Sequence, residues 1–417
     1  MKELNGKKLL ILGGDARSKD IVLCAKQMGA YTIVADWYDV QRSPAKLLAD
    51  EYWNQDIFQT DEIVKLIQAN GVNGVITGFS DSYLLQYNSI CNAAGLPCYA
   101  SADVFKVTLD KSLFKQLCMD NGVPVVPSFD LKSFDPSIIS KDFKVIIKPV
   151  DNSGSRGIRV CESQEDFPSC LEYALSFSEK KQVVIERFME MDTFSSSYTI
   201  QDGVISLSTM NDRIVHKVAG AGAVTAGGIY PSKYIHSYLE KMDEKVKAMY
   251  RHLGVRNGVL FIQGFTNGDD FFFYEMGYRL SGGRHYIFTK NQNNTSSLEY
   301  LITFALTGKM ADYSIIERDN AVFSKLCCQV NVLGKEGDIA RIEGYDFIKN
   351  MPCVIYSSLM KNVGDHIGAD GTTAQQCAGI YMVVNDYDCF KQKIEEIKQH
   401  FLILDKDGNN LVKSYLQ

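Results

Sequence analysis

A lysine closes an apolar run that has the pattern of a buried strand. Lys148 lies in "VIIKP", residues 145–149, where strand alternation places it on the face of Ile146. A lysine in such a place either extends its amine to water or meets an anion. The loop "NSGSRG" follows, and its glycines, hydroxyls and backbone N–H groups suit phosphate oxygens. The pattern favours a phosphate site at Lys148, and the loop residues expected to join it are Ser153, Gly154, Ser155 and Gly157.

A carboxylate and an amide interrupt two apolar segments on either side of a hairpin signal. Glu275 lies in "FFFYEMG", where alternation places it on the face of Phe271 and Phe273. Gln263 lies in the apolar run "VLFIQGF". A Mg²⁺ site needs only one or two protein oxygens when phosphates supply the others. Glu275 and Gln263 therefore predict a magnesium site beside the phosphates.

This metal site depends on the length of the hairpin loop between the two segments. A two-residue turn at Asn267–Gly268 would put Gln263 and Glu275 on opposite faces of the sheet. A three-residue loop, 267–269, would make them diagonal neighbours on one face, about 7–8 Å apart at the backbone. We therefore predict the three-residue loop, with a β-bulge at Gly268.

The elements that must position these residues begin with alternating strands and helices. Residues 1–100 contain strand and helix segments with short connections, which predicts a parallel sheet covered by helices. The turn at Gly13–Gly14 lacks the G-x-G-x-x-G spacing of dinucleotide sites, so a substrate group at the helix N-terminus is the stronger interpretation. Later segments predict antiparallel hairpins, and from about residue 320 we expect short, irregular strands.

The composition narrows the class of protein. The chain has 417 residues and a net charge of −6, and it shows no basic stripe of the kind that binds nucleic acid. It also lacks an apolar run of roughly 18 residues that could cross a membrane. The eleven cysteines form no C-x-x-C pair, which indicates free thiols and argues against zinc. These features predict a cytoplasmic protein.

Five motifs, in this order, resemble those of the ATP-grasp enzymes, and most closely the branch of carbamoyl-phosphate synthase large subunit and biotin carboxylase. They are Lys111 in "DK", Lys148 in "IIKP", "NSGSRG", "VVIERFM" and "YEMGYRLSGG". The resemblance implies an α/β and α+β fold: an N-terminal Rossmann-like parallel-sheet domain, a two-lobe ATP-grasp fold and a small C-terminal β-rich extension. The implied domains are residues 1–108, 109–190, 191–318 and 319–417.

The resemblance also implies roles for individual residues. Lys111 and Lys148 would contact ATP phosphates, and Glu275 would bridge them to Mg²⁺ or Mn²⁺. Arg279 would steady the transferring phosphoryl group. The adenine would be read mainly through the backbone of Glu186, Arg187, Phe188 and Met189, and the ribose by Asp192 or Glu190.

Two departures from the family pattern concern the metal. Gly277 stands where the family usually has an asparagine ligand, and Gln263 stands where an acid is frequent. Both weaken the expectation of two tightly held metals.

A third group lies towards the expected substrate end. Arg213 and Lys217 could bind a carboxylate or meet the charge of an acyl phosphate, whereas His216 is better interpreted as an ordinary strand residue. The turn at Ser281 and Gly282 is suited to an anion. We therefore count Arg279, Lys217, Ser281 and Gly282 as catalytic candidates.

The resemblance implies an enzyme that activates a small-molecule carboxylate with ATP, as an acyl phosphate that an amine then attacks. Its expected partners are ATP and small carboxylate and amine substrates, with a homodimer as an expected assembly and neither nucleic acid nor membrane. One alternative is ATP-dependent activation of bicarbonate. The other is an ATP-binding sensor without turnover, which the missing asparagine would suit.

Overall fold

The computed structural model describes residues 4–150, 157–217, 223–369 and 371–414. The loop residues Ser153, Gly154 and Ser155 lie outside these ranges, and for Lys217 only the backbone is described. Within the described part, the phosphate-loop prediction therefore depends on Lys148 and Gly157.

The N-terminal unit is a four-stranded parallel sheet with helices between its strands. The strands are β1 (Lys8–Leu12), β2 (Tyr31–Ala35), β3 (Glu51–Trp53) and β4 (Gly74–Thr77), and the helices are α1 (Ser18–Gln27), α2 (Thr60–Asn70) and α3 (Leu84–Ala94). The strand order is β3-β2-β1-β4. Residues Leu9–Leu12 are fully or almost fully buried, as expected for a parallel strand covered on both faces. The predicted Rossmann-like sheet is confirmed.

A second unit, the small lobe, is an antiparallel sheet covered by one helix. Its strands are β5 (Ser128–Phe129), β6 (Val145–Pro149), β7 (Arg159–Cys161) and β8 (Val183–Arg187), in the order β5-β8-β6-β7. Two helices, α4 (Ala102–Leu109) and α5 (Lys111–Asp120), lead into it, and α6 (Phe167–Ser176) covers the sheet. Val145 and Ile147 enter the core of the lobe, which leaves Ile146 and Lys148 on the opposite face, as predicted.

The large lobe is built on a nine-stranded, mainly antiparallel sheet. Its strands are β9 (Asp192–Gln201), β10 (Val204–Lys217), β11 (Ala223–Tyr230), β12 (Gly258–Thr266), β13 (Phe271–Gly277), β14 (Leu326–Gly334), β17 (Val354–Leu359), β19 (Gln376–Val384) and β21 (Val412–Ser414). The order is β13-β12-β9-β10-β11-β14-β19-β17, with β21 beside β14. Its helices are α7 (Ile235–Lys241), α8 (Asp243–Leu253), α9 (Tyr286–Asn293) and α10 (Ser297–Thr307).

Short elements complete the described chain. The remaining strands are β15 (Gly337–Asp338), β16 (Arg341–Glu343), β18 (His366–Ile367) and β20 (Leu402–Leu404), which pair as β15-β18 and β16-β20, and the remaining helices are α11 (Tyr345–Lys349) and α12 (Tyr387–His400). Short 3-10 helices occupy Pro44–Leu47, Asp81–Tyr83, Pro136–Ile138 and Thr373–Gln375.

The expectation of short, irregular strands after residue 320 is wrong for the two longest ones. β14 and β19 each span nine residues and continue the sheet of the large lobe. In β14, Gln329 and Asn331 alternate with buried Cys328, Val330 and Val332. The two amides line a cleft that belongs to the candidate site, and their polarity hid the apolar pattern of the strand.

The prediction for the β12–β13 loop is also wrong. Thr266 pairs with Phe271, so the loop contains four residues, 267–270, and Gly268 adopts a positive φ of 94° within it. The bulge lies elsewhere, since the register shifts between Gln263 and Gly264. Tyr274 is the extra residue in β13, and the shift pairs Gln263 directly with Glu275.

The bulge also corrects the predicted orientation of Glu275. Phe271 and Phe273 are buried in the core, whereas Tyr274 and Glu275 both line the cleft. A β-bulge places two residues of one strand opposite one residue of its partner and thereby resets the alternation. Glu275 therefore does not share a face with Phe273, and the carboxylate avoids the aromatic core.

Candidate functional site

A cleft of about 1190 Å³ lies between the small lobe, the large sheet and the N-terminal unit. Its walls include most of the predicted site residues, namely Lys111, Lys148, Glu186, Arg187, Phe188, Met189, Asp192, Gln263, Glu275, Arg279, Ser281 and Gly282. Such a volume exceeds the roughly 300–1,000 Å³ of a typical small-ligand pocket.

Lys148 is held by a buried carboxylate that the sequence did not identify as its partner. Glu186 accepts from Lys148 Nζ and from Lys115 Nζ, each at 2.5 Å. Its side chain is 5% exposed. Burial acts to raise the pKa of Glu186, but the charges of Lys148 and Lys115 outweigh it and hold the pKa at about 2. The Glu186 side chain therefore pairs with both amines and positions them. The predicted reading of adenine through the backbone of this segment stays a prediction.

Lys111 lies close to this pair at the start of α5. Asp110 caps the helix, since its Oδ1 accepts from the backbone N–H groups of Ser112 (2.8 Å) and Leu113 (3.0 Å). Burial, and then the positive charge of Lys148, lower the pKa of Lys111, while Glu275 acts in the opposite direction. Two neighbouring cations repel each other, and an anion with more than one negative charge that binds both of them would relieve this repulsion.

Glu275 and Gln263 supply the oxygens on the opposite wall. The Tyr274 hydroxyl donates to Gln263 Oε1 (3.1 Å), which orients the amide. Glu275 is exposed to the cleft, and none of the described cations pairs with it within 4 Å. Two oxygens from adjacent strands fit a Mg²⁺ ion that takes its other ligands from phosphates and water. No group of three His, Cys, Asp or Glu side chains that could hold a metal occurs among the described residues.

Packing against Phe261 explains why a glycine occupies position 277 in this chain. Gly277 pairs directly with Phe261, and a Cβ at position 277 would lie 2.4 Å from the Phe261 ring. Phe261 is 3% exposed and lines the cleft. The ring occupies the space that a longer side chain at 277 would need, so an asparagine cannot be placed there without moving Phe261.

Arg279 is bound by the N-terminal unit. Its Nε donates to Asp81 Oδ1 (2.7 Å), its Nη2 donates to Asp81 Oδ2, and its Nη1 donates to the Leu280 carbonyl (3.0 Å). The Phe261 ring lies 5.0 Å from the guanidinium carbon. The predicted phosphoryl-binding arginine thus lines the cleft with its orientation fixed by Asp81.

Of the residues predicted at the substrate end, some line the cleft and others do not. Arg213 lines the cleft, where its Nη1 donates to the Tyr274 hydroxyl and its Nη2 donates to Thr225 Oγ1 (2.7 Å). His216 is not among the lining residues. Lys217 ends β10, and its proposed role stays a prediction.

Two further predictions concern the nucleotide base and sugar. Asp192 lines the cleft and accepts from the Tyr234 hydroxyl (2.6 Å), whereas Glu190 is exposed and pairs with Lys144 (3.1 Å) outside the lining. Of the two ribose candidates, the geometry favours Asp192. The backbone N–H groups of Arg187 and Phe188 already donate to neighbouring carbonyls.

Gly157 is placed by packing. Its φ is 78°, and an added Cβ would lie 2.5 Å from Phe177 and 2.7 Å from Pro149. The residue is not among those that line the cleft. Its predicted contact with phosphate stays a prediction.

Sequence reasoning missed three members of the site. Lys115 follows Lys111 by one helical turn, so the spacing i, i+4 was a usable signal. Tyr274 directly precedes Glu275, but its position beside Lys148, 5.9 Å from ring centroid to Nζ, depends on the bulge. Asp81 lies 198 residues before Arg279, and no local pattern could have paired them.

Comparisons with known proteins agree with this geometry. Residues 110–286 match the family model "Carbamoyl-phosphate synthase L chain, ATP binding domain". The chain is 23% identical over 206 residues to a formate-dependent phosphoribosylglycinamide formyltransferase of Bacillus subtilis (strain 168), which is 47% of this chain and 52% of that protein. This chain therefore spans about half the length of that relative.

Solved structures extend the likeness to nearly the whole chain. An L-amino acid ligase from Bacillus licheniformis aligns with a TM-score of 0.78 and 15% identity, covering 96% of this chain and 99% of that one. A phosphoribosylglycinamide synthetase from Anaerococcus prevotii aligns with a TM-score of 0.74 and 17% identity, covering 96% and 100%. The predicted fold class is confirmed. No helix in the described ranges has both the length and the apolar character needed to cross a bilayer.

Proposed function

Because residues 110–286 match the ATP-binding domain of carbamoyl-phosphate synthase and the whole chain shares the fold of ATP-grasp ligases, we propose that it is an ADP-forming ligase that joins a small-molecule carboxylate to an amine. The observation that carries the proposal is the arrangement of charge across one cleft. Lys111 and Lys148 lie on one wall, and Glu275 with Gln263 lies on the other. Phosphoryl transfer depends chiefly on such positioning and charge neutralisation.

The roles of the residues follow from their places in the cleft. Lys111 and Lys148 bind the phosphates of ATP, and Asp192 binds the ribose, with the segment from Glu186 to Met189 beside the base. Glu275 and Gln263 hold the magnesium ion, which neutralises phosphate charge when bound. Arg279 contacts the phosphoryl group in transit.

The reaction proceeds in two displacements. A carboxylate oxygen of the substrate attacks the γ-phosphorus of ATP, and the bond to ADP breaks. The amine then attacks the acyl carbon, phosphate leaves, and the amine loses a proton. Lys217 would meet the negative charge of the acyl phosphate, and the turn at Ser281 and Gly282 contacts an anionic group of the substrate.

A trapping experiment tests this function. With ATP, Mg²⁺, a pool of amino acids as carboxylates, and hydroxylamine as the amine, we expect the enzyme to release ADP and form hydroxamates in equal amounts. Hydroxylamine captures acyl phosphates directly, so the substrate amine need not be known. ADP release that requires bicarbonate instead of the pool would contradict the proposal, and so would tight ATP binding without turnover.

The Lys148→Ala variant serves as the control in this assay. The change removes one charge-assisted contact with phosphate, worth about 1.5–3 kcal/mol, so nucleotide affinity should fall roughly tenfold or more. Lys115 continues to pair with Glu186 in the variant. An unchanged affinity for ATP would remove Lys148 from the site.

A further inference from the structure

Three arginines lie near one another where α1 meets the large lobe, and two of them pair with carboxylates. Arg279 pairs with Asp81, and buried Arg284 pairs with Asp20 at 3.3 Å. The third is Arg17, which directly precedes α1 and lines the cleft. Among the described residues, no carboxylate lies within ion-pair distance of the Arg17 guanidinium.

Among the described residues, the Arg17 guanidinium is held by a neutral group. Its Nη2 donates to Gln376 Oε1 (3.2 Å), and the Gln376 amide in turn donates to Asn331 Oδ1 (2.9 Å). Gln329 donates to the same Asn331 oxygen at 3.0 Å. This chain of amides orients the guanidinium without adding negative charge, and within the described part of the chain it engages one of the five N–H donors.

Asp15 is close to Arg17 in sequence, but its carboxylate binds backbone groups instead of the guanidinium. Asp15 Oδ1 accepts from the backbone N–H groups of Arg17 (3.0 Å) and Ser18 (2.9 Å), as an N-terminal turn does. Burial lowers the pKa of Arg17, Asp15 partly opposes this effect, and the positive charges of Arg284 and Arg279 add to it. A partly buried cation among cations needs an anion to offset its desolvation.

Arg17 faces the turn that the sequence marked as suited to an anion. A Cβ added at Gly282 would lie 3.9 Å from Arg17 Nε. Arg17, Gln376, Ser281 and Gly282 all line the cleft, and we refer to this part of it as the Arg17 compartment.

The surroundings of Arg17 differ from those of the lysines. Arg17 donates to Gln376 of β19 and lies beside Gly282, whereas Lys148 pairs with Glu186 of β8 and lies beside Tyr274. The two cations are thus held by different elements, and we take an anion at Arg17 to be a different group from the phosphates at Lys148.

We propose that Arg17 binds a second anionic group of the substrate, a carboxylate or a phosphate ester, in the compartment formed with Gly282 and Gln376. The inference depends on the proposed function, because the reacting carboxylate is taken to lie beside the phosphates. The substrate is thus a small molecule that carries two separate anionic groups. A planar guanidinium matches both candidate groups through paired N–H donors.

Calorimetry on the intact protein can test this inference. The protein is first saturated with Mg²⁺ and a non-hydrolysable ATP analogue, which occupies Lys111 and Lys148. Inorganic phosphate and succinate are then titrated separately, with succinamide as the uncharged counterpart. We expect the wild-type protein to bind at least one of the two anions at millimolar concentration and to show no binding of succinamide. A higher affinity for phosphate than for succinate indicates that the second group of the substrate is a phosphate ester. A higher affinity for succinate indicates a second carboxylate.

Variants at Arg17 identify the compartment. Arg17→Gln should weaken anion binding by at least about tenfold while the affinity for the ATP analogue stays that of wild type, which also shows that the variant is folded. Arg17→Lys keeps the positive charge but loses the planar arrangement of N–H donors. Its anion affinity should therefore lie between those of wild type and Arg17→Gln. The matched control, Arg256→Gln, changes an exposed arginine outside the cleft and should bind as wild type does.

The possible failures can be told apart. Wild-type anion affinity in Arg17→Gln overturns the inference, as does equal binding of succinamide or no anion binding by wild type. If the ATP analogue itself does not bind to wild type, the proposed function fails first.

Discussion

At the scale of single residues, the site is organised by one buried carboxylate between two lysines. Glu186 is the acceptor for both Lys148 and Lys115, whose side chains are 18% and 10% exposed. Removing one partner of a buried ion pair leaves an uncompensated charge and costs about 3–5 kcal/mol. We expect Glu186→Gln to lower the free energy of unfolding by this amount near neutral pH, measured by urea denaturation.

The pH dependence of this loss follows from the pKa of Glu186. Because the folded pKa is depressed to about 2, the carboxylate contributes its full stability above its unfolded pKa of about 4.3. That contribution is lost as the pH falls towards 2. The stability difference between wild type and Glu186→Gln should therefore be constant at neutral pH and narrow below about pH 4. Glu62→Gln, in an exposed pair with Lys65, should cost less than about 1 kcal/mol, and an equal loss in both variants would contradict this account.

At the scale of elements, the β12–β13 hairpin forms the part of the cleft that carries Gln263 and Glu275. Phe261 fills the space beside Gly277. The methyl group of Gly277→Ala would clash with the Phe261 ring, which must move to make room. Overpacking of this kind costs about 1–3 kcal/mol. In a Phe261→Ala background the same change should cost at least about 1 kcal/mol less, because the space is then open. Urea denaturation of the four proteins in this cycle measures the coupling.

A glycine on the same segment provides the control. A Cβ at Gly282 would meet Arg17 Nε at 3.9 Å, an ordinary contact, so Gly282→Ala should change the free energy of unfolding by less than about 0.5 kcal/mol. Additive effects of Gly277→Ala and Phe261→Ala would show that the ring is not what excludes a side chain at position 277.

The same hairpin shows how far sequence reasoning reaches. Lys148 was placed correctly because strand alternation over "VIIKP" is a local property. Glu275 and Gln263 were paired for the wrong reason, since the bulge at Tyr274 and not the loop length sets their register. Arg279 and Asp81 were not connected at all, because their pairing depends on how the N-terminal unit packs against the large lobe. Local pattern thus predicts which side chains reach the cleft, and tertiary packing decides what they contact there.

At the scale of the whole molecule, the small lobe has an apolar core separate from those of the rest of the chain, which we call the body. One large core runs from β1 through α5 to β13 and α10, so the N-terminal unit and much of the large lobe share it. The small lobe has its own core around Val145, Ile147 and Ile185. Its backbone ties to the body include Val126 N–H to the Phe273 carbonyl (3.0 Å) and Phe273 N–H to the Pro124 carbonyl (2.9 Å).

A lobe with a small core and few ties should open more readily than the body. We expect amides of β6 and β8 to exchange with deuterium faster than those of β12 in the free protein, by hydrogen-exchange mass spectrometry. A nucleotide that contacts Lys148 and the Glu186–Met189 segment links the lobe to the body, so Mg²⁺ with a non-hydrolysable ATP analogue should slow exchange in β6 and β8. Exchange in β19, which lies in the body, should not change. Lys148→Ala should lose the protection at sub-saturating analogue, and protection that reached β19 equally would contradict a lobe that opens as a unit.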